Sequence, residues 1–493
     1  MALKTILLNN FLGGRAKDPW SPLLGEYEFA DHLDDLTRPG RLIPYSAPTA
    51  DTTGQVAVGA MALSETDGLL YGLGKSTVIT MYRKATDSGD WSTRANPSTF
   101  AAQQHEMLFE FQEAFYFWSG NDNSGTIGKH DIASPTEAQM DGNWAGAGTI
   151  NITPQPSVGP GFHYKELDAA IFTYGSRFNY TINGTTLAGE VTLPNEAVRI
   201  RSCDEWNGYA AMGASTLSND TYVFFYDSAL NEPVFTKRIS GEYLLALRNV
   251  GGELIAVCSP FSGSSRRARL HFYVFRGAEF EPIGTWSLFE GTETSGNVIL
   301  PERTVKVRNG MLYFCAGLGT TAAATDYGIY RFGIQNGRYT FKRDRFATTG
   351  NTETFGADIG ALEWFGDSLH VVHTANGTIT RSGGSAAASA AKYRSGRLNF
   401  GAYATKKQLV EVSLTTTPLP AGETATVKIS VDNGAFTTIF THQDTGRIQT
   451  TRRPVKVASF SECRVQVDGL GAGTEIVELA LTADDKMGKN KSV

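Results

Sequence analysis

The sequence predicts an all-β protein, a β-propeller of about seven blades followed by an antiparallel β-sandwich. Three observations carry this. Apolar, aromatic-rich runs of strand length recur from about residue 55 to residue 381 at a spacing of roughly 40–55 residues, the size of a four-stranded blade. The last part of the chain alternates apolar and polar residues, with turn residues every 8–12 positions or so. The composition fits many short strands joined by tight turns: 28 Phe, 19 Tyr, 7 Trp and 53 Gly, with only 19% charged residues.

Residues 1–45 hold Gly13, Gly14, Pro19, Pro22, Gly25, Pro39, Gly40 and Pro44 and are expected to form an extended arm. Within it, FADHLDDLTRPG is read as one short helix that stops before Pro39. Residues 46–382 are assigned to the propeller. Copies of its unit are expected to begin at Val56, His105, Tyr164, Arg199, Tyr243, Val305 and Ile359. Each reads as an apolar strand, a turn such as Asn309-Gly310, Gly251-Gly252 or Gly366-Asp367, and a second apolar strand, because those turn residues supply the positive φ of a tight hairpin. No WD or Kelch signature marks the repeat, and stacked sandwiches are the competing architecture. Residues 383–392, rich in Ser, Gly and Ala, are read as a linker. Residues 393–484 form the sandwich, with a hairpin turn at Asp432-Asn433-Gly434, and 485–493 a polar, disordered tail.

Composition narrows function. The net charge of −6 gives the whole chain no basic footprint, so nucleic-acid binding is not favoured. Arg266, Arg267 and Arg269, and Arg452 and Arg453, read as solvated strand edges. Cys203, Cys258, Cys315 and Cys463 are far apart, lack CxxC spacing and are expected as buried free thiols. The opening MALKTILLNNFLGG does not read as a signal peptide, the sequons at Asn151 and Asn183 read as chance, and no run of about 18 apolar residues is present.

The search for chemistry finds no convergent polar cluster. His370 and His373 sit in DSLHVVHTANG; three apart in a strand, they point to opposite faces and cannot share a metal ion. No nucleophile elbow or phosphate-cradling glycine loop occurs. ATDSGDW at Ala85–Trp91 and SVDNGAF at Ser430–Phe436 approach the Asp-box turn of sialidase blades, but both read as ordinary hairpin turns. Asp34-Asp35, Asp204-Glu205 and Asp484-Asp485 are adjacent carboxylates, expected to point apart or be solvated. No catalytic residue, cofactor or metal is therefore assigned, and the chain is not read as an enzyme. Trp91, Trp144 and Trp206 lie in polar, Gly-rich surroundings and are candidates for stacking on a glycan or anchoring a partner, against the plainer reading that each folds back on its own blade.

The opening NNFLGGRAKDPWSPLLGEYEFADHLDDLTRPGRLIPYSAPT resembles the start of structural proteins of tailed bacteriophages, at Phe11, Gly13, Gly14, Asp18, Pro39, Gly40 and Leu42. The segment from Tyr393 to Gly401, Lys406-Lys407 and the closing run from Gly469 to Ala483 are similar to propeller-plus-sandwich tail proteins, including nozzle or hub proteins of short-tailed phages. The resemblance implies a non-catalytic virion tail component made in the host cytoplasm. Its partners would be copies of itself in a ring and adjacent tail or connector proteins, with passing DNA if it lines a tail channel. Phe11, Gly13, Gly14, Asp18, Pro39 and Gly40 would belong to an assembly arm. The alternatives are a tail protein that binds a receptor or host surface glycan and, behind it, a propeller polysaccharide hydrolase.

Overall fold

A computed structural model describes residues 3–11, 26–31, 33–46, 48–51, 58–74, 80–95, 107–121, 124–133, 140–141, 158–184, 187, 190–194, 198–216, 220–230, 232–260, 269–288, 298–318, 328–335, 337–346, 359–373, 379–382, 391–401, 406–443, 449–455, 459–471 and 474–485. Apart from one 3₁₀ turn at Glu302–Thr304, every named element among them is a β-strand. Seven sheets follow one another as propeller blades, and two further sheets form a sandwich.

The first five blades are simple meanders, each pairing its four strands in chain order. The fourth is representative: Val198–Trp206, Tyr209–Thr216, Asp220–Tyr226 and Pro233–Ser240 pair antiparallel in chain order. The turns anticipated from sequence form these hairpins. Asn309 and Gly310 adopt φ of 51° and 70°, and Gly251 and Gly252 of 62° and 92°, the left-handed values that a two-residue hairpin requires. Aromatic and branched side chains from facing blades then fill the spaces between sheets. Phe272 of the fifth blade stacks on Phe332 of the sixth with ring centroids 4.0 Å apart, and both are buried.

The seventh blade is completed from the far end of the sequence. Ile359–Phe365, Ser368–His373 and Ile379–Arg381 supply three strands, and Thr49–Ala50 adds the outermost one through Thr380↔Ala50 and Arg381↔Thr49. The ring thus closes by strand pairing between residues more than 300 positions apart.

The sandwich comprises a four-stranded sheet (Leu3–Leu8, Ile476–Asp485, Lys407–Thr416, Gln449–Pro454) and a five-stranded one (Tyr27–Asp31, Lys392–Ser395, Cys463–Asp468, Ala425–Val431, Thr437–His442). Two expectations fail here. The described residues within 1–45 do not form an extended arm: Leu3–Leu8 and Tyr27–Asp31 are sandwich strands, and Phe11, Tyr27, Leu33 and Leu42 lie in its core. The helix read over FADHLDDLTRPG is absent, because Tyr27–Asp31 pairs with Lys392–Ser395 and Asp34 accepts hydrogen bonds from the Leu36 and Thr37 amides, turning the chain. Tertiary pairing overrides a weak local preference. Residues 383–390 of the linker and 486–493 of the tail lie outside the described residues, while Ala391 is already in the sandwich core.

Two blade boundaries also move. The sixth blade begins at Val298, not Val305. The third blade begins at Val158, not Tyr164, with the strand VGPGFHY. Two glycines and a proline hide that strand in the sequence. The register slips between Val158 and Gly161, and Thr173 Oγ1 donates to the Pro160 carbonyl across the slip.

Candidate functional site

The densest buried polar chemistry lies where the N-terminal segment crosses from the sandwich to the propeller. The sixth-blade strands Gly328–Gln335 and Arg338–Phe346 carry Arg331, Lys342, Arg343 and Asp344, all at most 5% exposed. Opposite them run Tyr27–Asp31 and the turn that follows. Arg343 grips Asp31 with two hydrogen bonds, Nε to Oδ1 at 2.8 Å and Nη2 to Oδ2 at 2.6 Å. Arg331 Nη2 donates to Asp35 Oδ1 at 2.5 Å, Tyr27 OH donates to Asp35 Oδ2 at 3.0 Å, and Lys342 Nζ lies 3.3 Å from Asp35 and donates to the Leu33 carbonyl. Three cations thus face Asp31, Asp35 and Asp344, so the buried charges balance.

The two central carboxyls are held apart in acidity. Burial alone would raise Asp35, but the charges of Arg331 and Lys342 and the hydrogen bonds from Arg331 and Tyr27 overcome it and bring its pKa down to about 2. For Asp344 burial prevails over the same two cations, and its carboxyl is raised. Asp344 Oδ1 makes no hydrogen bond among the described residues, although Arg331 Nη2 and Lys342 Nζ stand 3.5 and 3.7 Å away. Asp344 lines a cavity of about 420 Å³ between the N-terminal segment and blades six and seven, with Asp34, Asn309, Tyr313, Trp364 and Asp367 among its other walls.

A second buried cluster sits at the ring closure. Asp51 directly follows the closing strand and accepts hydrogen bonds from Lys84 Nζ at 2.7 Å and Trp91 Nε1 at 2.8 Å, while His370 Nδ1 lies 3.1 Å from its Oδ2. His370 Nε2 reaches Asp87 Oδ1 at 3.1 Å, and Ser368 Oγ donates to Asp87 Oδ2 at 2.6 Å. Lys84 and His370 are fully buried. Burial opposes ionisation of Asp51, but hydrogen bonds from His370, Lys84 and Trp91 leave its pKa below the usual carboxylate value.

The sequence candidates fare unevenly. Trp91 and Trp206 are 7% and 9% exposed, and their indoles donate to Asp51 and to the Gly252 carbonyl, so neither offers a stacking face. Trp144 lies outside the described residues, as do Gly13, Gly14 and Asp18. Phe11 packs edge-on against Tyr393 at 5.3 Å, and Pro39 and Gly40 form the turn before Leu42 pairs with Ile476. These arm residues therefore hold the sandwich together. Asp35 is buried rather than solvated, because two cations sit against it. All four cysteines are free and buried. Among the described residues no group of His, Cys, Asp and Glu could hold a metal ion, and no helix is long and apolar enough to cross a membrane. Asp35 was named from sequence and set aside, whereas Asp51, Lys84, Arg331, Lys342, Arg343 and Asp344 were missed; only the last three left a signal, FKRDRF, four consecutive charges within an aromatic strand.

No protein-family model matches the chain, and neither does any curated protein. Among solved structures, the RRP9 WD40 repeats share 10% identity over 69% of this chain and 99% of theirs, with a TM-score of 0.47. The WD40 propeller domain of Doa1 also shares 10%, over 69% and 97%, with a TM-score of 0.45. An exo-β-1,3-galactanase from Phanerochaete chrysosporium shares 13%, over 90% and 100%, with a TM-score of 0.31. Likenesses this remote say nothing about activity, and the architecture rests on the sheet pairing itself.

Proposed function

We propose that this chain is a non-catalytic structural protein of a tailed-bacteriophage virion, a stiff subunit of a homo-oligomeric ring or tube in the tail. The observation that supports this most is the course of the N-terminal segment. It contributes two strands to the sandwich, clamps the sixth blade through Asp31 and Asp35, returns to the sandwich where Arg41 meets Glu475 at 2.5 Å, and then closes the seventh blade. Domains joined by one flexible linker hinge by default; here one segment builds into the sandwich, is held to the sixth blade by buried ion pairs and completes the seventh, which resists hinging. Resistance to hinging suits a load-bearing ring subunit. The phage-like opening segment is the stretch that makes these contacts.

A second support is the unequal guarding of the sandwich edges. Leu3–Leu8 is an outer strand with Leu3 and Leu7 62% and 46% exposed, whereas the opposite edge of that sheet carries Arg452, Arg453 and Pro454, which discourage pairing. An unguarded edge is suited to a neighbouring subunit. The test is sedimentation velocity with negative-stain microscopy on the full chain, alone and mixed with the tail proteins encoded beside it. Closed rings or tubes are expected. Monomers alone under both conditions would overturn the proposal.

A further inference from the structure

We infer that one face of the propeller disc is a docking surface for a protein partner that is basic and also offers apolar side chains. The inference does not rest on the virion reading. It starts from the topology. In a four-stranded meander the turns from first to second strand and from third to fourth fall at the same end of the blade, so a closed ring gathers them on one face. Among the described residues, the large apolar side chains exposed on the propeller are Leu63, Ile182, Val234, Val307 and Ile334. Each of them lies at or beside one of these turns. Exposed apolar residues are ordinary when scattered; confined to one face they mark a contact surface.

Charge decides which partner fits. The same turns carry Glu113, Glu166, Glu232 and Glu279, one in each of blades two to five, all exposed. Among the described residues none of these carboxylates has a side-chain hydrogen bond or ion pair. Of the exposed cations at the turns, Lys165 and Arg276 already face Glu65 and Glu281, which leaves Arg338. A nucleic acid or an anionic lipid surface would be repelled here, and a second copy brings the same net charge of −6. A cationic protein surface meets the carboxylates, and apolar side chains between its charges cover Leu63 and Ile182. The face is also held in shape before any partner arrives. Glu110 of blade two accepts from the Thr66 amide of blade one at 3.0 Å, and Gln112 of blade two donates to the Ile182 carbonyl of blade three at 3.1 Å. Little ordering therefore opposes docking.

The experiment is calorimetry with hydrogen exchange on the full chain, using a short peptide that alternates Leu and Lys. Peptides alternating Leu and Glu, and Ser and Lys, are the controls for charge and for apolar contact. The Leu–Lys peptide is expected to bind with a Kd of roughly 10–100 µM and to protect amides at residues 64–69, 112–113 and 165–168, with both controls at least about tenfold weaker. Glu113→Lys combined with Glu166→Lys is expected to weaken it about tenfold, and Ile182→Asp by a similar factor, with melting unchanged because all three sites are exposed. Glu411→Lys, on the sandwich, is expected to change nothing. No binding, equal binding of the Ser–Lys peptide, protection on the sandwich instead, or an equal loss from Glu411→Lys would each overturn the inference. So would self-association of the chain that Ile182→Asp abolishes, since that result gives the face to a second copy.

Discussion

Asp35 has no solvent contact and is held by Arg331, Lys342 and Tyr27. Its energetic weight follows from what its loss leaves behind, two buried cations short of one counter-charge. Asp35→Asn is expected to cost about 3–5 kcal/mol of stability, measured by urea unfolding at neutral pH. Titration gives a second check at this scale. The pKa of His130 is lowered to about 4, first by burial and then by the charge of Arg94. The unfolded chain, with an ordinary histidine near 6.5, therefore binds the proton first as pH falls. Stability carried by the neutral ring is full above pH 6.5 and is lost progressively down to about 4, by about 2 kcal/mol between pH 7 and pH 5. His130→Phe should remove that loss; an unchanged slope in the urea midpoints would refute it. Asp35, lowered to about 2, adds its own loss only on the acid side of the ordinary carboxylate range.

Among elements, the closing strand carries the most for its length. Thr49–Ala50 is two residues long, too short to hold a ring by its ladder alone. Asp51 anchors its end to Lys84, Trp91 and His370, bringing together blade one, blade seven and the N-terminal segment. Asp51→Asn leaves Lys84 buried without its carboxylate and is expected to destabilise by about 3–5 kcal/mol. Native-state hydrogen exchange should show protection lost first in Ile379–Arg381, the strand that Thr49–Ala50 covers; loss spread evenly over all blades would count against closure as the function of this cluster. The same scale shows what the sequence made legible. Hairpins at Asn309-Gly310 and Gly251-Gly252 were readable because positive φ restricts residue choice. The strand at Val158–Tyr164 was not, since its glycines and proline serve a bulge that only the partner strand defines. Phe29–Asp31, the end of the Tyr27–Asp31 strand, read as helix because its partner, Lys392–Ser395, is more than 360 residues away.

In the whole molecule, the propeller and sandwich were legible as separate units, but the thread between them was not. Local periodicity reports which face of a strand is buried, whereas Asp35 against Arg331 joins residues 296 positions apart and has no local pattern. The candidate cavity shares that origin: its walls come from the N-terminal turn and from blades six and seven, so no single stretch of sequence announces it. Trp91 and Trp206 illustrate the converse, polar and Gly-rich neighbours around rings whose indole nitrogens are bound inside.

Because one segment builds both domains and clamps them through buried charges, the domains are expected to melt as one cooperative unit. Differential scanning calorimetry of the full chain tests this most directly. A single transition is expected, splitting into two when Asp35→Asn and Asp31→Asn are combined. Two well-separated transitions in the unmodified protein would contradict the rigid, laced architecture on which the structural role depends.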